Sequence, residues 1–82
     1  MSHPVIHVVR DRTTPVLIPA DGREHRLARY GEGFSGLAAG GAILHDEPQT
    51  DDERLWVNDT LACRMVPGAM IVPGWDTTEP RQ

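Results

Sequence analysis

The stretch ERLWVNDTLACRMVPGAMIV, at positions 53–72, decides how this chain folds, because only here do apolar residues run long enough to nucleate a core. It contains one of the two tryptophans, two of the three methionines and the single cysteine. Burial of apolar surface is the main driving force of folding, so this stretch is expected to supply most of the core. The predicted core residues are Trp56, Leu61, Ile71 and Val72.

Two local structures compete for this stretch. Residues 50–53, TDDE, have the form of a helix capping box with Thr50 at the N-cap and Glu53 three residues later. A helix continuing from there would place Asp59 on its apolar face, which weakens the helical interpretation. The alternative is a hairpin with a two-residue turn at Asn58-Asp59, because both residue types tolerate positive φ.

The hairpin pairs Trp56 with Leu61 and Glu53 with Arg64, and both cross-strand pairs are favourable. We therefore predict the hairpin, with room for one helical turn near residues 51–54. Pro67-Gly68 is a further turn signal, after which residues 69–72 would return as another strand.

The rest of the chain consists of short segments separated by glycine and proline. Residues 4–10, PVIHVVR, favour a strand, and residues 23–30 favour a polar strand or a short helix after the Asp21-Gly22 turn. A glycine-rich loop precedes a strand at about 42–45. This spacing predicts a mainly β fold, a small barrel or sandwich of short antiparallel strands. Residues 1–74 would form one small β domain, and residues 75–82 a C-terminal tail.

Composition excludes several classes of function. The chain has 82 residues, a formal net charge of −4 and no lysine among its eight basic residues. Lysine Schiff-base chemistry and a phosphate-loop lysine are therefore excluded, and a nucleic-acid binder would need a basic footprint. One cysteine permits no internal disulfide. With no apolar run of membrane-spanning length and no signal sequence, a virion or cytoplasmic location is expected.

The glycine-rich loop and Ser35 contain the nearest matches to catalytic motifs. Residues 31–36, GEGFSG, match G-x-G-x-x-G, but Gly40-Gly41 breaks the helix that a dinucleotide site requires. Leu37 stands where the nucleophile elbow G-x-S-x-G needs glycine. We predict no catalytic and no cofactor-binding residues, and a flexible loop at 31–36.

The histidines and the acidic segment 46–53 are candidate metal ligands. His3 and His7 lie four residues apart on a predicted strand, which separates them by about 13 Å, too far for one ion. His25 or His45 with the acidic segment 46–53 is a weaker alternative, since that segment lacks the pattern of a calcium loop. We predict no metal site. Cys63 lies among apolar residues and is predicted to be a buried, inert thiol.

Charge is unevenly distributed along the chain. The first thirty residues are rich in arginine, whereas residues 46–59 hold six carboxylates against a single arginine. Such a chain can pair head to tail with copies of itself, or the charges can interdigitate within one fold. The first alternative predicts an interface at Trp75, Arg23, Arg26, Arg29, Asp51 and Asp52.

Small scaffolds without disulfides or metals commonly gain stability by oligomerising. We therefore expect a non-enzymatic structural protein that binds other protein subunits, as a bacteriophage virion component for capsid decoration or head–tail association. The alternative is a monomeric or dimeric partner-binding regulatory or inhibitor module. No cofactor, nucleic acid or membrane is expected to take part.

Deletion of residues 75–82 is predicted to leave the domain folded but to abolish its association with other subunits. Trp75 follows Pro73-Gly74, and its side chain can bury roughly 150–250 Å² on a partner. Urea titration and sedimentation velocity of the truncated and full-length chains test this. Unchanged association after truncation would remove the tail from the interface.

Overall fold

Four parallel strands form a single sheet in the computed structural model, which describes residues 3–11, 13, 15–33 and 38–74. The strands are β1 (Val5–Val9), β2 (His25–Arg29), β3 (Gly41–Leu44) and β4 (Ile71–Pro73). Their spatial order is β2-β1-β3-β4, so β1 and β3 are central and β2 and β4 form the edges.

The predicted antiparallel barrel or sandwich is therefore wrong, and so is the description of the chain as all-β. All five residues of β1 are buried, which is typical of a parallel strand covered on both faces. The segments 10–24, 30–40 and 45–70 join the strands, and parallel pairs need such crossovers of about a dozen or more residues. The Asp21-Gly22 turn does form, with Gly22 at φ 81°, but within a crossover.

The predicted hairpin at 53–64 is also wrong, because this stretch is helical. Helix α1 (Asp51–Trp56) begins after Thr50, whose hydroxyl accepts a hydrogen bond from the backbone N–H of Glu53 at 3.1 Å. The Glu53 carboxylate reaches back to the backbone N–H of Gln49 at 2.7 Å. The capping box in the sequence was the correct signal.

A π-helical turn explains how the helix tolerates Asp59. After α1 the chain continues through a π turn (Val57–Leu61) and a 3₁₀ turn (Ala62–Arg64). The Ala62 N–H donates to the Val57 carbonyl, five residues back. This wider turn brings Trp56 and Leu61 onto the same buried face while Asp59 stays exposed. A regular α-helical period cannot do this, which is why the sequence pattern disfavoured a helix.

The core lies between this helical segment and one face of the sheet. Its buried members are Ile6, Val8, Ala28, Ala39, Ala42, Leu44, Trp56 and Leu61. The predicted burial of Trp56 and Leu61 is confirmed. Ile71 is only partly buried and Val72 is exposed, because both lie on the short edge strand β4. Cys63 is exposed, so its predicted burial is wrong.

None of the helices in the described part of the chain has the length and apolar character needed to cross a membrane. The division at residue 74 stays a prediction, because residues 75–82, including Trp75, lie outside the described residues.

Leu61→Ala is expected to lower the free energy of unfolding by roughly 2–5 kcal/mol, the range for large-to-small core substitutions. Leu61 has no exposed surface, whereas Leu55 on α1 is 57% exposed. Leu55→Ala is therefore the matched control and should change stability little. Urea titrations of both variants test the placement of the helical segment, and equal losses would contradict it.

Candidate functional site

Three histidines and one aspartate form a hydrogen-bonded chain, here called the histidine chain, on the sheet face opposite the helix. His7, in the middle of β1, is 1% exposed. Its Nε2 lies 2.9 Å from His25 Nδ1, and its Nδ1 lies 2.8 Å from His45 Nε2. His25 Nε2 in turn lies 2.9 Å from the Asp21 carboxylate.

The parallel register brings these residues together. Side chains alternate along a strand, so His7 points away from the core that Ile6 and Val8 enter. His25 is the first residue of β2 and pairs with Val5, while His45 directly follows β3, where its N–H donates to the Val8 carbonyl. The histidine chain therefore crosses three adjacent strands diagonally, from the amino end of β2 to the carboxyl end of β3.

Burial favours the neutral form of the His7 and His45 rings. It lowers the pKa of His7, and the neighbouring His45 and His25 lower it further, partly opposed by Asp21. Burial also lowers the pKa of His45, partly opposed by Asp46. At the other end, the hydrogen bond from His25 and then the backbone N–H of Arg23 lower the pKa of Asp21. An ionised carboxylate thus stands at one end of the histidine chain.

A cavity of about 300 Å³ opens beside the Asp21 end of the chain. Its floor is the sheet face, formed by Val5, Ile43 and Val72, and its rim carries Asp21 and Arg23. The size is at the lower limit for ligand pockets. The cavity suits one or two large side chains better than a cofactor.

Arg23 carries the positive charge of this rim. Its guanidinium has no hydrogen bond or ion pair with any described residue. It lies over Gly40, where an added Cβ would stand 3.0 Å from the guanidinium nitrogen and 3.0 Å from the His3 carbonyl oxygen. Glycine at position 40 therefore permits the close approach that places this cation at the cavity.

The donor atoms of the histidine chain do not converge on one point. His7 uses its two nitrogens for two different partners, so no three rings face a common centre. Among the described residues no group of three or more potential ligands could hold a metal ion. In the acidic segment, Asp46 accepts the Arg10 backbone N–H and Glu53 pairs with the Arg10 guanidinium at 3.0 Å. Asp46 and Glu53 of that segment are therefore paired with Arg10 of the same chain.

The Arg10–Glu53 pair joins the basic first half of the chain to the acidic segment within one fold. It lies at the carboxyl ends of β1 and β3, where parallel sheets commonly bind ligands because the connections diverge there. Here Arg10 occupies this place, with its guanidinium 5.7 Å from the centre of the Tyr30 ring. The glycines at 31–36 follow β2, but residues 38–40 do not begin a helix, so the described part of this loop lacks the context of a dinucleotide site.

The charged residues predicted for an interface are exposed and scattered. Arg26 pairs with Glu24 at 2.8 Å on edge strand β2, and Arg29 pairs with Glu32 at 3.6 Å. At the start of α1, Asp51 pairs with Arg54 at 3.0 Å, and Asp52 is exposed. Only Arg23 belongs to the cavity rim. Their role in an interface stays a prediction.

The histidine chain was missed at the level of sequence. The available signal was His7 within a run of buried β-branched residues, because a buried polar group needs a hydrogen-bond partner. The identity of the partners depends on the parallel register, which local patterns do not reveal. His45 was expected only as a strand-end residue.

No family model, curated protein or solved structure matches the chain. The function is therefore argued from geometry alone. Neither the fold nor these comparisons support the predicted virion or bacteriophage role, which is not retained.

The free energy of unfolding is expected to fall as the pH drops from about 7.5 to about 5.5. The lowered pKa values of His7 and His45 mean that the unfolded chain takes up protons below the ordinary value of 6.5, whereas the folded chain resists them. Stability is therefore complete above that value and is lost as pH falls through the lowered pKa values. Urea titrations across this interval measure it.

His45→Gln should reduce this pH dependence, because a glutamine amide can still donate to His7 Nδ1 but does not titrate. His3→Gln is the control, since His3 is exposed and outside the histidine chain. An equal pH dependence in both variants would show that burial of His45 does not govern acid stability.

Proposed function

We propose that this protein is a non-enzymatic structural subunit that associates with a second copy of itself through the sheet face opposite the helix. The supporting observation is that the helical segment packs on one face of the sheet, whereas the opposite face keeps apolar side chains exposed on its two edge strands. On the other face, Leu27 and Val72 stand at the two ends of one row across the sheet and are 38% and 37% exposed.

The β4 end of this row lies at the cavity, whereas His7 in the middle of the row is buried. The row runs from Leu27 through His7 and Ile43 to Val72, as the strand registers require. Ile43 and Val72 also form part of the cavity floor, and Met70, which is 68% exposed, stands beside it. Binding energy in protein interfaces is concentrated near their centre, in well-packed pockets that exclude water, and this cavity could become such a pocket when a partner covers it.

The charges on the rim favour a second copy as the occupant. Arg23 has no partner among the described residues, and Asp21 is 42% exposed. The Arg23 backbone N–H and His25 Nε2 both donate to Asp21 Oδ1, and no described residue donates to Oδ2. In a two-fold symmetric contact each residue meets the partner's equivalent patch, so Arg23 of one copy can pair with Asp21 of the other.

The geometry favours binding over acid–base catalysis. His25 is the one histidine that lines the cavity, and its side chain is 5% exposed. Both of its ring nitrogens are engaged, one by Asp21 and the other by His7. A general base needs a nitrogen within hydrogen-bond reach of its substrate, which His25 does not offer here.

Sedimentation velocity from micromolar to millimolar concentration tests self-association. We expect the chain to form dimers and Val72→Asp to make it monomeric, because the substitution places a charge on the apolar floor. Leu55→Asp is the control, since Leu55 is more exposed than Val72, at 57% against 37%, but lies on the helical side. A monomeric wild-type chain at millimolar concentration, or equal effects of the two substitutions, would overturn the proposal.

The rim charges have a separate test. Arg23→Glu should weaken the dimer because the substituted carboxylate faces the partner's Asp21. Arg26→Glu is its control, since Arg26 lies on β2 but is occupied by Glu24. Rising salt should weaken the wild-type dimer only modestly, because exposed pairs contribute about 0.2–1 kcal/mol each. Equal dissociation by both arginine variants would exclude the Arg23–Asp21 contact.

A further inference from the structure

The hydrogen bonds of the histidine chain determine which nitrogen of each ring carries its proton. A carboxylate only accepts, so Asp21 requires a proton on His25 Nε2. A neutral His25 then has a bare Nδ1, which must accept from His7 Nε2. His7 Nδ1 is bare for the same reason and must accept from His45 Nε2. With all three rings neutral, every ring is the Nε2–H tautomer and all bonds point toward Asp21.

One additional proton has a preferred location in this arrangement. On His7 it would be fully buried between two other imidazoles. On His45 it would lie in a partly buried ring, with Asp46 the carboxylate that favours it. On His25 it would lie on a ring that already contacts an ionised carboxylate at 2.9 Å. Direct pairing with an opposite charge stabilises the protonated form most effectively.

We propose that the histidine chain binds one proton at His25 and, in doing so, reverses the tautomers of His7 and His45. Protonated His25 donates from Nδ1 to His7 Nε2, and His7 then carries its own proton on Nδ1. His7 donates that proton to His45 Nε2, so His45 must carry its proton on Nδ1. No atom is gained beyond the one proton, since each ring only shifts its hydrogen from one nitrogen to the other.

This reversal couples the protonation of His25 to the tautomer of His45 at the opposite end of the sheet. His45 Nδ1 has no hydrogen bond with a described residue, and it changes from an acceptor to a donor. Asp21 lies in the crossover before β2, whereas His45 follows β3 at the opposite end of the sheet. A group that contacts His45 Nδ1 thus senses the protonation state beside the cavity. The lowered pKa values of His7 and His45 agree with their remaining neutral while His25 is charged.

Among the described residues, each element places only a few charged or titratable side chains near the histidine chain. From the crossover before β2, Asp21 faces His25, and Arg23 shares the cavity rim with both. Arg29 lies on β2 on the same face and pairs with Glu32. From the segment after β3, Asp46 acts on His45. Strand β4 contributes no charged side chain.

Long-range ¹H–¹⁵N NMR spectroscopy of the histidine rings during a pH titration tests the proposal, because the two nitrogen shifts distinguish both tautomers and the cation. In mildly alkaline solution all three rings of the histidine chain should be Nε2–H tautomers. On acidification His25 should become charged while His7 and His45 change together to Nδ1–H. The proposal is overturned if His7 or His45 becomes the charged ring first, or if both keep their tautomers when His25 is protonated.

Asp21→Asn and Glu24→Gln form a matched pair for the same titration. Asparagine can still accept from His25 Nε2 but carries no charge, so the reversal should move to lower pH. Glu24 is an exposed carboxylate of the same segment that pairs with Arg26, so its substitution should leave the reversal in place. Equal midpoints in both variants would remove Asp21 from the proposed role.

His7→Leu tests transmission along the chain. Without His7, the tautomer of His45 should no longer follow the protonation of His25. If this variant does not fold, the Asp21→Asn titration decides the question alone. Self-association is not required for any of these outcomes, so they stand apart from the test of the proposed dimer.

Discussion

The burial of β1 on both of its faces is the constraint on which the rest of the structure depends. A central strand that pairs in parallel on both sides needs cover above and below. On one face, Ile6 and Val8 pack against the helical segment, which supplies Trp56 and Leu61. On the other face β1 presents His7, a polar residue that is almost completely buried. The core and the histidine chain are thus two consequences of one strand.

A buried imidazole needs hydrogen-bond partners, since an unpaired polar group in an apolar environment costs roughly 1–3 kcal/mol. His7 obtains its partners from the two neighbouring strands, one on each side. One of these partners, His25, in turn bonds to Asp21, an ionised carboxylate. The other, His45, is only partly buried. This chain is a means of burying a polar residue, and it also makes protonation at one end detectable at the other. The burial of His7 therefore explains both the hydrogen bonds of the histidine chain and its response to protonation.

Local features were largely predictable from the sequence, whereas topology was not. The strands at Val5–Val9 and Gly41–Leu44 follow from β-branched and apolar runs, and Thr50 marks the true start of a helix. Asp59 interrupts a 3.6-residue period, so the sequence pattern favours a hairpin, whereas the π turn lets the helical segment keep Asp59 exposed. The strands run parallel because long crossovers connect them. These crossovers have no clear helical pattern in the sequence, so the strand direction was not predictable. Without the strand direction, the hydrogen-bonded contacts among His7, His25 and His45 could not be predicted.

The central claim is that β1 lies between β2 and β3, parallel to both, with His7 opposite Leu27 and Ile43. Nuclear Overhauser contacts in the isotopically labelled chain test this most directly. The account predicts backbone contacts from His7 to the residues flanking Leu27 on one side and Ile43 on the other, in the staggered pattern of parallel strands. Close Hα–Hα contacts typical of antiparallel pairs, or contacts from β1 to one neighbour only, would contradict it.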